Sequence, residues 1–460
     1  VPASGAVNAA INFAATATTN GCPTQPTFDW NFGDGTPRSS QQNTSHTYSA
    51  AGAYTWTLTT TVGTGSTMID TIAGGLGEGN VATQAPFGIM VAAARDPQNR
   101  GIYVIDSIGG IALIRFINTS NAAVTIAGRS IAPGVVRAIA GGGLELADNI
   151  PGLNADLGTI TGLDTSADGN LLYFVAQTDK QVRVLNVSAN TVTVAGVQIA
   201  SGNIGTLASG FGNELSGITV NNATGEVIVT DATAGINKVF KISTAGASSA
   251  LAGSGATTKP EDGFSAGPAT GIPLLQPRAV EIDSAGRVLI ADTGHARVIR
   301  IENGNASLVQ QFTVSQSAPN PYPSSLTVQG SNIFVVLGNL QTIVRLNGSA
   351  TTVAGQSGQS CDYSVSNCGD GGAGVNASFG FQGSTGNPPI SGIVADGNGV
   401  FILDQGITGR GRVRYLNQAA GSVTVAGVTI AANAIDRIAG NGLIAPYDGG
   451  LATSATFNAP

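Results

Sequence analysis

Six times along this chain a short apolar run is followed by a second strand-like segment that carries a basic residue near its middle. The apolar runs are IYVIDS from Ile102, LLYFVAQ from Leu171, VIVTDA from Val227, VLIADT from Val288, NIFVVLG from Asn332 and VFILDQ from Val400. Their followers read IALIRF around Arg115, QVRVLN around Arg183, KVFKIS around Lys241, RVIRIE around Arg300, TIVRLN around Arg345 and RVRYLN around Arg414. Self-similarity at a period of roughly 45–70 residues, built only of short strands, marks a propeller or solenoid. No single repeat buries its own apolar faces, so the repeats must pack on one another.

Composition narrows the class. Gly 65 and 10% charged residues would fit low complexity, but 42% hydrophobic residues in alternating runs indicate a folded, turn-rich all-β chain. A net charge of −7 with lysine only at 180, 238, 241 and 259 disfavours nucleic acid as a partner. No apolar run is long enough to span a membrane as a helix. The chain starts at Val1 rather than Met, which leads us to expect a processed product or a fragment, a removed signal peptide being one explanation. Cys361 and Cys368 are spaced to close a small disulfide loop, implying an oxidising compartment, with Cys22 left over.

Residues 1–63 stand apart. Phe28-Asp29-Trp30-Asn31-Phe32-Gly33-Asp34-Gly35, then His46-Thr47-Tyr48, then Gly52-Ala53-Tyr54-Thr55-Trp56-Thr57-Leu58 occur in order. This series resembles the PKD domain, which implies an immunoglobulin-like sandwich serving as an extracellular spacer or interaction module. The alternation of YTWTLTTTV and the Asp34-Gly35 turn pair agree with such a fold. Residues 64–440 resemble an NHL-repeat β-propeller on the strength of Ile290-Ala291-Asp292-Thr293-Gly294-His295 followed by Arg297-Val298-Ile299-Arg300-Ile301. Asp106, Asp231 and Asp404 keep the same strand-end carboxylate, while Gln177 and Gly338 replace it. The fold expected is therefore all-β, with an N-terminal sandwich, a six-bladed propeller and a C-terminal extension over 441–460.

The blades can be phased. Inner strands begin small, at Gly88, Gly162, Gly217, Ala279, Ser325 and Gly392, as suits strands crowding an axis. Outer strands end near Gly141, Ser209, Gly253, Gly355 and Gly440, and near Phe312 in the fourth blade. Insertions beginning at Val124, Val192 and Val423 read as strand, turn, strand, and predict a hairpin that lengthens the blade edge. A further Ile-Ala-Gly strand at Ile69 to Gly74 makes seven outer strands for six sets of inner ones. Three explanations stay open: the native chain continues past Pro460, the spare strand lies on its own propeller, or it joins a neighbouring molecule in a head-to-tail assembly.

Catalytic constellations are thin. With only His46 and His295, a three-imidazole metal site is out of reach, as is a Ser-His-Asp triad beyond one histidine in the propeller. His295 reads as a surface turn residue. The basic residues Arg115, Arg183, Lys241, Arg300, Arg345 and Arg414 read as structural partners of strand-end carboxylates between blades. Asp262, Asp370 and Asp448 precede glycines and are the candidates for calcium, although their spacing favours turns. Seven N-x-S/T sequons are about what this composition yields by chance. The expected protein is a secreted or cell-surface, non-enzymatic one without a required cofactor, acting in adhesion, scaffolding or self-assembly as in an extracellular filament. Its partners would be copies of itself or surface proteins and glycans. A glycan- or peptide-binding propeller is the alternative, and a metal-dependent lyase or hydrolase a more distant one.

Overall fold

The protein is described from a computed structural model. It covers residues 6–16, 26–61, 79, 81–85, 87–108, 110–256, 259, 263–314, 321–362, 366–380, 389–405 and 411–440. The chain divides into two compact units, Val1–Ile69 and Asp70–Pro460.

In the first unit, Ala10–Ala14 pairs with Asn43–Thr47, and Thr27–Asn31 pairs with Thr57–Thr61, giving two antiparallel pairs. Alternation turns Phe13 and Trp30 inward, where they form a buried cluster with Phe32 and Tyr48. The Phe-Gly-Asp-Gly turn is fixed by steric exclusion. Gly33 has φ +79°, and a Cβ there would lie 2.2 Å from the Thr55 carbonyl oxygen. Asp34 accepts from Thr36 Oγ1 at 2.6 Å and contacts His46 Nε2 at 2.7 Å. The Thr36 hydroxyl and then His46 draw its carboxyl down to about 2. His46 stacks on Phe32, so the three motif segments lock one another.

Among its described residues the second unit contains six antiparallel blade sheets, four of four strands and two of five. Their inner strands are Ile89–Arg95, Ile160–Thr165, Leu215–Val220, Pro277–Ile282, Pro323–Gln329 and Ile390–Ala395. Each inner strand packs on those of the adjacent blades, and the sixth on the first, so the sheets close into a six-bladed propeller. At two of the boundaries, inner-edge amides are satisfied by side chains of the neighbouring blade. Asp164 accepts from Val220 N at 2.7 Å, and Thr327 from Ala395 N at 3.0 Å. The outer strands are Val136–Gly141, Asn203–Ser209, Ser248–Ala252, Asn305–Gln311, Ala350–Ala354 and Ile435–Ala439. Each one pairs within its own blade. Blades 2 and 4 gain a two-residue fifth strand, Ile150–Pro151 and Gly267–Pro268.

The three insertions differ from expectation. Val124–Ile126 with Arg129–Ile131, Val192–Val194 with Val197–Ile199, and Val423–Val425 with Val428–Ile430 are separate two-stranded sheets and do not extend a blade edge. Their inward residues, such as Ile126 with Ile131 and Val194 with Ile199, are buried in the clusters between blades. Ala127 and Gly128 both have positive φ, the geometry of a tight hairpin turn that follows strand twist. This turn delivers the Ala127 amide to the Val187 carbonyl of the next blade at 3.0 Å. The hairpins are clasps across blade boundaries.

Candidate functional site

In four of the six blades a strand-end carboxylate fastens the loop that leads into the blade. Asp106 accepts from Gly88 N, Asp231 from Gly212 N and Asp292 from Leu275 N, all at 2.8 Å, and Asp404 from Gly380 N at 3.1 Å. All four aspartates are fully buried, which demands such compensation. Arg115 pairs with Asp106 at 2.8 Å and Arg414 with Asp404 at 3.4 Å. Loop aromatics cover these guanidiniums, Phe87 over Arg115 at 4.5 Å and Phe379 over Arg414 at 5.1 Å.

The six basic residues are not equivalent, which revises the expectation of a single ring. Arg115, Arg183 and Arg414 lie opposite Val104, Phe174 and Ile402 of the second strand and are fully buried. Lys241, Arg300 and Arg345 lie one register further, opposite Ile228, Leu289 and Phe334. One residue of shift turns a side chain to the other face of the sheet. At that second register blades 1, 2 and 6 carry Phe116, Val184 and Tyr415, all buried. At the first register blades 3, 4 and 5 carry Phe240, Ile299 and Val344. Apolar and basic positions have exchanged, and the exchange follows the clasps: blades with a hairpin are apolar at the second register, blades without one are basic.

Other partners also depart from the sequence reading. Asp292 is held by Arg297 at 2.8 Å and His295 at 2.7 Å, not by Arg300. His295 is buried, not on the surface, because its turn Thr293–His295 folds back under the strand end. Arg183, whose blade has Gln177 at the strand end, bonds instead to Asp148 and the Ala147 carbonyl, both at 3.2 Å. Lys241 pairs with Glu226 at 3.0 Å. Asp370 gives its carboxylate to Arg414 at 2.7 Å and Arg412 at 3.2 Å, so calcium would have to displace two guanidiniums there. Burial pushes the Asp370 carboxyl up, against the pull of Arg414 and Arg412. Asp262, Asp448 and Cys22 lie outside the described residues, and no cluster of three or more metal-ligating side chains occurs among those described. Cys361 and Cys368 are joined as a disulfide, with Cα atoms 5.7 Å apart.

A buried asparagine ties each clasp, a feature the sequence reading missed. Asn186 Nδ2 donates to the Asn190 carbonyl at 2.7 Å and the Ile199 carbonyl at 2.9 Å, while its Oδ1 accepts from Ser188 N and Oγ. Asn118 and Asn417 repeat the arrangement. The signal was present as Arg115-Phe116-Ile117-Asn118, Arg183-Val184-Leu185-Asn186 and Arg414-Tyr415-Leu416-Asn417, against shorter endings in the other blades. Asn118 and Asn186 head sequons, yet with both amide groups engaged in the interior they have no room for a glycan.

The axial channel is narrow, about 100 Å³, and is lined by inner-strand residues of all six blades. Asp164 and Glu281 face it from blades 2 and 4. Burial pushes both carboxyls up, and the Asp164 charge pushes Glu281 further. Between them Thr219 Oγ1 donates to Glu281 at 3.3 Å.

The chain thus combines a PKD-like sandwich with a six-bladed β-propeller. Residues 2–73 match the PKD domain family. No curated protein matches the chain significantly. Among solved structures it is similar to a chain of a nidogen/laminin complex (12% identity, 71% of this chain and 93% of that one, TM-score 0.41). It is also similar to a Bacteroides thetaiotaomicron protein of unknown function (14%, 84% and 90%, TM-score 0.44) and to a streptogramin B lyase (11%, 73% and 82%, TM-score 0.41). No helix among the described residues is long and apolar enough to cross a membrane.

Proposed function

We propose that this protein is a secreted, non-catalytic adhesion or scaffold subunit of the NHL-propeller type that assembles head to tail with copies of itself. One observation carries the reading: the outer place of blade 6 is filled by Ile435–Ala439, and the loop place beside it by the segment around Ala82. Gly440 N donates to the Ala82 carbonyl at 2.8 Å, and Val81 bridges to Val135 of blade 1. Sequence on either side of the described propeller carries a second copy of one of these seated pieces. Ile69-Asp70-Thr71-Ile72-Ala73-Gly74 repeats Ile435-Asp436-Arg437-Ile438-Ala439-Gly440 with one difference. Ala452-Thr453-Ser454-Ala455-Thr456-Phe457 likewise echoes Ala82-Thr83-Gln84-Ala85-Pro86-Phe87. Both duplicates lie outside the described residues. A segment that duplicates a seated strand or loop fits the same place in another copy, and a heterologous contact of this kind propagates into open chains.

The non-catalytic part of the reading is supported by the burial of His295, the histidine of the propeller, whose ring is closed to a substrate. The disulfide and the PKD match support an extracellular setting. Sedimentation of the purified chain tests assembly: species should grow with concentration, and removal of residues 441–460 should leave monomers. A strictly monomeric full chain at high concentration overturns the proposal.

A further inference from the structure

On the propeller face that carries the third-to-outer connections, the clasps fill the clefts leaving blades 6, 1 and 2. Between blades 4 and 5 the connection is only the turn around Asn303 and Gly304, and a cavity of about 250 Å³ remains. Leu289, Val328, Ile333 and Leu346 give it apolar walls, while Ser331 and Asn347 stand at its polar side. Arg300 lines it from the register where blade 1, under its clasp, places Phe116.

The charges around this cleft do not balance. In blade 3 the equivalent Lys241 is neutralised by Glu226, the residue just before the second strand. In blade 4 that same place is held by Arg287, so the counter-charge is inverted. The Asp283 carboxylate is already committed to Arg287 Nε at 2.7 Å and to the amides of Ala285 and Arg287 at 3.0 Å. Arg300 Nε is buried with no acceptor, and no described carboxylate forms an ion pair with its guanidinium. Two guanidiniums against one spent carboxylate leave a positive cavity on a protein of net charge −7. A buried donor without an acceptor is costly, and a bound oxyanion would remove that cost.

We propose that this cleft binds the carboxylate of an acidic sugar. Arg300 takes the carboxylate, the hydroxyl of Ser331 and the amide of Asn347 face sugar hydroxyls, and the apolar walls pack against the ring. The site is independent of the assembly proposed above, since it uses neither chain end. Calorimetric titration at low salt with glucuronate, glucose, sulfate and N-acetylaspartate tests it. Glucuronate should bind at one site per chain and glucose should not. Arg300→Gln should weaken glucuronate about tenfold or more, and Lys241→Gln should leave it unchanged. Arg287→Gln, which removes the second guanidinium lining the cavity, should weaken it by a smaller factor and stands in if Arg300→Gln fails to fold. Absence of glucuronate binding overturns the proposal, as does binding undiminished in the Arg300 and Arg287 variants. Equal binding of sulfate or N-acetylaspartate also overturns it, in favour of a general anion or acidic-peptide site.

Discussion

Replacing Asn186 with alanine should open the blade 2 clasp. The side chain is fully buried and makes four hydrogen bonds, two donated to the carbonyls of Asn190 and Ile199 and two accepted from Ser188. Each is worth about 0.5–1.5 kcal/mol net, and partners left without water cost more, so about 2–4 kcal/mol should be lost. The loss should be local, because Asn186 ties only the base of its own hairpin. Tryptophan fluorescence cannot report it, since Trp30 and Trp56 both lie in the N-terminal unit. Amide exchange can: protection over Val192–Ile199 should fall about 100-fold. Asn190→Ala, at an exposed position in the same turn, is the control. If the two variants agree within about 0.5 kcal/mol, the asparagine is not the tie described here.

Further outcomes follow from the same geometry. Gly33→Ala forces a Cβ to 2.2 Å from the Thr55 carbonyl at positive φ, so the N-terminal unit should be strongly destabilised while far-UV circular dichroism of the propeller stays intact. Three carboxyls should contribute oppositely to the pH dependence of the two units. Asp34 is drawn down to about 2 in the fold, so its contribution is full above about pH 4, the unfolded range, and lost as pH falls toward 2; tryptophan fluorescence follows it. Asp164 and Glu281 are pushed up, so their contribution to propeller stability is full below about pH 4, the unfolded range, and is lost as pH rises through neutrality. Glu281→Gln should flatten that decline and stabilise the propeller at pH 8, measured by calorimetry; an unchanged slope would refute the assignment.

Much of the architecture was legible in the sequence because its determinants are local. Small residues at Gly162, Gly217 and Gly392 phase the inner strands, and the fourth outer strand near Leu308 was readable despite its missing glycine. What was not legible depended on facing. Arg115 and Arg300 occupy similar places in two apolar strings, yet they differ by one register, and only the strand partners reveal it. His295 reads as a turn residue, but its turn folds inward onto Asp292, and the Thr293 hydroxyl in that turn donates to the Pro323 carbonyl of the next blade at 2.7 Å, a long-range tie. The clasps were visible as strand-turn-strand, whereas their role depended on the Ala127 amide finding Val187 in the next blade. Asp370 resembles a calcium turn until Arg412 and Arg414, more than forty residues later, arrive beside it.

The most direct test of the assembly claim is a photo-crosslinker at Phe457 in an equal mixture of isotopically heavy and light subunits. Head-to-tail exchange predicts mixed-mass cross-links that map to the seam between blades 6 and 1, near Ala82 and Gly440. Cross-links confined to chains of a single isotope would contradict it.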